Sequence, residues 1–97
     1  MKAILITYNQ AFTEKVDSIL DSLNIRGFTQ IPLVWGRGTN NGEPRMGTHT
    51  WPEMNSAILT IVKDDLVDVV LDKVKKLDAV NYEVGIRAFV WEIEKTV

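Results

Sequence analysis

Along this chain the spacing of apolar residues switches repeatedly between a period of two and a period of about 3.6, and the order of the switches leaves few folds open. Residues 2–8 are rich in Ile, Leu and Thr and lack Gly and Pro, which predicts a strand. Phe12, Val16, Ile19, Leu20 and Leu23 then follow helical spacing, while Glu14, Lys15, Asp17, Asp21 and Ser22 fill the other side. This amphipathic helix closes near Asn24, with Gly27 just beyond. Residues 28–35 return to β character, and Pro32, which cannot donate a ladder hydrogen bond, demands an edge or a bulge there. Residues 57–62, "AILTIV", predict a third strand. Residues 63–78 form a second helix on the stripe Leu66, Val67, Val70, Leu71, Val74 and Leu77. Asp64 suits its N-cap, Asp65 the positive end of its dipole, and Lys73, Lys75 and Lys76 the opposite end. Residues 84–93 predict the last strand.

The order βαββαβ is the split-βαβ pattern of an α+β, ferredoxin-like fold: one antiparallel four-stranded sheet with two helices on one face. Its 97 residues make a single domain, 1–97. Both faces of the strands are apolar. Ala3 and Leu5 oppose Ile4, Ile6 and Tyr8; Ala57, Leu59 and Ile61 oppose Ile58 and Val62; Phe89, Trp91 and Ile93 oppose Val84, Ile86, Ala88 and Val90. Two helices cover only one face. The other would leave an apolar patch larger than a monomer usually tolerates, so burial against further copies of the chain is expected. An imprecise alternation, with the long loop folded over the open face, is the alternative.

A net charge of −2 provides no basic field for nucleic acid. The absence of cysteine excludes disulfides, thiolate metal sites and thiol catalysis. The start "MKAILITYN" is too short and too polar at its end for a signal peptide, and no run approaches the roughly 20 apolar residues of a membrane helix. A cytoplasmic protein without membrane insertion is expected.

Residues 34–54, "VWGRGTNNGEPRMGTHTWPEM", break the regular pattern. Four of the six glycines, two of the three prolines, two of the three tryptophans and the sole histidine lie there. Such a long loop in a small domain points to function.

"YNQAFTEKVDSILDSLNIRGFTQI" followed by "GRG" resembles the first half of PII signal-transduction proteins. "ILTIVKDDLVDVVLDKVKKL" resembles their third strand and second helix, and "GIRAFVWEIEK" their last strand. The resemblance implies a PII-like regulator, a homotrimer with its sheets packed inward. It also implies sensing of a small-molecule ligand, often an adenine nucleotide, in clefts between subunits. The loop over residues 36–54 would be the T-loop that touches a partner, plausibly a membrane transporter. The chain departs from the PII pattern in three places. The glycine-rich B-loop is replaced by "LDAVNYEVGIR", in which only Gly85 and Arg87 match, Arg87 standing for the B-loop lysine. The arginine-rich carboxyl tail has no counterpart in "EIEKTV", and the loop lacks the tyrosine that is modified in PII proteins.

Candidate ligand-binding residues are therefore Gly36, Arg37, Gly38, Lys63 and Arg87. The glycines would let backbone amides approach an anion; a plain strand-ending turn is the competing reading. Arg45, His49 and Trp51 are candidates for partner contact. Trp35 and Trp51 read as anchors of the loop base, or as surfaces for stacking on a base or a partner. His49, with Met46, Glu53 and Met54 nearby, raises a second function, metal binding connected with heavy-metal tolerance or efflux. No two of these have a recognised ligand spacing, so no metal site is assigned, and no cofactor is identified. Catalysis finds no constellation: a triad would need His49 from the loop, and Asp17, Asp21, Asp68 and Asp72 lie on solvated helix faces. A non-enzyme is expected.

Overall fold

The computed structural model describes residues 1–37, 44, 54–80 and 85–97. Strand β1 (Lys2–Asn9) leads through a 3-10 turn (Gln10–Phe12) into helix α1 (Thr13–Ser22). Strands β2 (Phe28–Val34) and β3 (Asn55–Val62) follow, then helix α2 (Asp64–Val80) and strand β4 (Arg87–Glu92). The sheet order is β2-β3-β1-β4, and every adjacent pair is antiparallel. This is the expected βαββαβ arrangement.

The register fixes which side chains share a face. Ile4 lies between Thr60 and Val90, and Ile6 between Ile58 and Ala88. With Tyr8 and Val62 they form the floor on which both helices sit, through Val16 and Leu20 of α1 and Val70 and Val74 of α2. Ile4, Ile6, Tyr8, Val16, Ile58 and Val70 are fully buried. Alternate residues face the other way: Leu5 lies between Leu59 and Phe89, and Ala3 between Ile61 and Trp91. No described element covers that side.

α1 ends as its sequence suggests, for a definable reason. Asn24 adopts φ 57°, the left-handed region an asparagine tolerates. Its N–H donates to the carbonyl of Asp21 (3.0 Å), and the N–H of Ile25 to that of Leu20 (2.9 Å). This is the Schellman closure, completed by burial of Ile25 and Leu20 in the core.

Elsewhere local expectations shift. β2 stops at Val34, because its pairing with β3 jumps from Ile31↔Ala57 to Val34↔Asn55, a bulge spanning Pro32. β4 starts at Arg87. α2 runs on to Val80, so Lys73, Lys75 and Lys76 fall short of its last turn, where the dipole acts most strongly. Asp64 is already helical. Its carboxylate takes the amino group of Met1 at 3.0 Å, and hydrogen bonding to that group holds its pKa below the usual carboxylate range. Lys2 hydrogen-bonds Glu92 across β1 and β4, which raises the lysine's pKa. Among the described residues, no helix is long and apolar enough to cross a membrane.

Candidate functional site

The long loop leaves and rejoins the sheet at the end where β1 finishes, and polar side chains are buried there. Asn9 pairs with Asn55 in the ladder, and Asn9, Asn55 and Ser56 are all buried. Asn9 Oδ1 accepts the N–H of Ala11 (3.0 Å), which caps the 3-10 turn. The N–H of Gln10 donates to the carbonyl of Met54 (2.9 Å), tying that turn to the returning limb of the loop. Ser56 Oγ donates to the carbonyl of Pro32. That bond gives a partner to a carbonyl within the stretch where the ladder register shifts. Both limbs of the loop are thus pinned, the outgoing one by the Ser56 side chain and the returning one by the backbone N–H of Gln10.

Gly36 sits inside this stem. A Cβ placed on it would lie 2.9 Å from Asn55 Nδ2, closer than packed atoms approach. Its φ is not in the left-handed region, so a side chain here is opposed by the Asn55 amide and not by backbone conformation. Arg37, the next residue, is exposed.

Arg87 stands at the same end of the sheet, opposite Thr7. It is half-buried; Nη1 donates to the carbonyl of Ile86 (2.7 Å) and lies 3.6 Å from Asp78 Oδ2 on α2. A guanidinium carries five N–H donors, so this tether orients the group without exhausting it. Lys63 is exposed beyond Val62, which pairs with Lys2 at the start of β1. Five or six residues of strand therefore separate it from Arg87, roughly 17–20 Å. Within one chain, Gly36 and Arg37 share an end of the sheet with Arg87 but lie at its opposite edge, β2 against β4, roughly 14 Å away across three strand spacings, and Lys63 lies at the other end.

Gly38, Arg45, His49 and Trp51 lie outside the described residues, as do Met46 and Glu53. Among the described residues, no group of three or more His, Asp or Glu side chains could hold a metal ion. Trp35, expected to anchor the loop base, is 71% exposed in the single chain.

An open cleft of about 450 Å³ adjoins the stem, lined by Gln10, Thr13, Glu14, Gln30 and Ser56 among others. Gln30 Nε2 donates to the buried Tyr8 hydroxyl at its edge (3.3 Å). Sequence reasoning missed this polar stem. Its one visible signal was an asparagine at each strand end, in "YNQ" and "MNS", where side chains commonly replace ladder partners.

The family model described as nitrogen regulatory protein P-II matches residues 1–97. Among solved structures, CPII from Thiomonas intermedia K12, a nitrogen regulatory PII-like protein bound to ADP, AMP and bicarbonate, superposes with a TM-score of 0.77 at 20% identity, over 95% of this chain and 84% of that one. CPII bound to ADP and bicarbonate gives 0.76 at 21% identity, with the same coverage. Its apo form gives 0.72 at 20% identity, over 95% of this chain and 87% of that one. No curated protein sequence matches the chain significantly.

Proposed function

Because the chain belongs to the nitrogen regulatory protein P-II family, we propose that it is a trimeric regulator that senses a small anionic ligand, such as an adenine nucleotide, in clefts between its copies. The observation that carries this reading is the uncovered sheet face. Ile31, Ile61, Phe89 and Trp91 on that face are 46%, 43%, 54% and 47% exposed, with Leu5 and Leu59 between them. Packing three such faces inward removes this surface from water and sets the loop stem of each copy beside a neighbour.

In a cyclic assembly different surfaces of two copies meet, so the separation of Lys63 from Arg87 within one chain is no obstacle. Gly36 and Arg37, after β2, and Arg87, on β4, stand at opposite edges of one sheet, so in a ring of copies these residues and Lys63 line a cleft only by coming from neighbouring chains. The nucleotides and bicarbonate in the CPII structures favour a ligand of this class. A bound anion that prefers one arrangement of residues 36–54 shifts the loop toward it. Arg45, His49 and Trp51 then present or withdraw a surface to a partner such as a membrane transporter. The exposed Arg37 and the half-buried, tethered Arg87 suit charge recognition, not proton transfer, which fits a regulator.

Calorimetry with ATP, ADP and AMP, each with and without bicarbonate, tests the reading. Heat of binding that is reduced in Arg87→Ala, on a chain that sediments as a trimer, is the expected result. A chain that binds none of these, or binds them equally well without Arg87, overturns it.

A further inference from the structure

The helical side of the molecule carries a groove that the ligand site does not use. It runs between α1 and α2, with a volume of about 370 Å³, and is lined by Lys15, Ser18, Ile19, Ser22, Lys73, Lys76 and Leu77. The half-buried Ile19 and Leu77 pack against the core cluster and form an apolar floor. Three lysines rim it. Lys76 is paired with Asp72 at 3.0 Å, but Lys15 and Lys73 have no ion-pair partner among the described residues. The acidic side chains of α1 do not neutralise this rim. Helical spacing sets Glu14, Asp17 and Asp21 on the flank of α1 away from Lys15, Ser18 and Ser22. On α2, Asp72 offsets Lys76, and Asp65 and Asp68 stand on the flank turned from α1, so Lys15 and Lys73 carry the unbalanced positive charge beside the apolar floor.

That chemistry selects the occupant. A phosphate or nucleotide needs convergent donors, yet Ser22 Oγ already donates to the carbonyl of Ile19 (2.8 Å), and the floor offers only hydrocarbon. A bilayer would lie across both helices over this shallow depression. It would also meet Asp65, Asp68 and Asp72, exposed on the same helix as the lysines. A peptide helix with an apolar ridge and acidic flanks satisfies both floor and rim. α1, at 10 residues, offers about 15 Å of wall, enough for two to three turns of such a segment. We propose that the α1–α2 groove docks a short acidic, amphipathic segment of a partner protein. The groove lies on the opposite side of the sheet from the uncovered apolar face, so it remains accessible when that face is buried.

The test titrates the full chain, followed by amide NMR shifts, with a 14-residue helical peptide bearing Leu at i, i+3, i+4 and i+7 and Glu on its flanks. A second peptide has Lys at every Glu position. Shifts centred on Ser18, Ile19, Lys73 and Leu77 are expected with the acidic peptide only, weakening with salt. Reversal of both unpaired lysines, Lys15→Glu with Lys73→Glu, weakens binding about tenfold or more, whereas Lys75→Glu, outside the groove, leaves it unchanged. Lys15→Glu alone, at a fully exposed position, gives a smaller loss in the same direction and serves should the double variant not fold. The proposal is overturned if the acidic peptide causes no shifts in the groove at millimolar concentration, if the basic peptide binds equally, or if reversal has no effect. It is also overturned if vesicles of mixed phosphatidylserine and phosphatidylcholine bind through these lysines while the peptide does not. Each outcome is independent of nucleotide heat and of trimer formation, so failure here leaves the ligand-sensing reading standing.

Discussion

Truncating Phe89 to alanine tests whether the open sheet face is an assembly surface. In the single chain this ring is 54% exposed. An aromatic side chain presents about 200 Å², so roughly 100 Å² of ring remains for a neighbour to cover. At about 25 cal/mol per Å², its burial on assembly contributes about 2.5 kcal/mol per chain. Three chains lose it together, about 7.5 kcal/mol per trimer. Because trimer formation depends on the third power of chain concentration, this raises the concentration at which trimers dissociate by two to three decades. Phe89→Ala also removes the covered half of the ring from the chain's own packing, so some loss of thermal stability is expected and is not diagnostic. Sedimentation velocity across a dilution series is diagnostic. Val69→Ala is the control: Val69 is 41% exposed, but on helix α2, and its loss should leave the dissociation midpoint unchanged. An unmoved midpoint for Phe89→Ala, or an equal shift for Val69→Ala, would show that the face is not buried between copies.

Further predictions concern the stem, one helix and its cap. Gly36→Ala drives a methyl into Asn55 and should destabilise by about 1–3 kcal/mol, outweighing the roughly 0.4–1 kcal/mol gained from a stiffer unfolded chain; in an Asn55→Ala background the penalty vanishes, and an undiminished penalty in denaturant melts would refute the steric account. Asp17 has one carboxylate oxygen buried without a hydrogen-bond partner among the described residues, and burial, then Asp21 and Glu14, raise its pKa. A raised carboxyl pKa means that the folded state favours the proton, so stability contributed by protonated Asp17 is present below the unfolded pKa and is lost as pH climbs through the folded one. Asp17→Asn should therefore raise the melting temperature at neutral pH, by the equivalent of only about 0.5 kcal/mol because the residue is partly solvated, with the gain shrinking toward pH 4; a gain independent of pH would contradict this cause. Asn24→Val forces a β-branched residue into the left-handed region and should cost about 1–2 kcal/mol, while Asn24→Gly should be tolerated; equal melts for the two would remove the closure argument.

Much of this protein was legible in the chain itself, and the reason is periodicity. The spacing of Val16, Leu20, Val70 and Val74 commits two segments to helices with one apolar side, and the alternation around Ile4, Ile6, Ile58 and Val90 commits the strands. Those patterns depend only on backbone geometry, so they survive without knowledge of the fold. The two-faced sheet followed from the same alternation and was seen before any register was known. The loop stem was not legible. Asn9 and Asn55 are 46 positions apart in sequence, and only the antiparallel register of β1 and β3 makes them partners. Gly36 looked like a flexible turn residue, and it took the position of Asn55 to show that a side chain there is opposed by the Asn55 amide. Lys63 looked like a companion to Arg87 because both lie near strand ends; the register assigned those strand ends to opposite ends of the sheet. Contacts that close over long stretches of chain are set by strand pairing and bulges, and a local pattern carries no record of them.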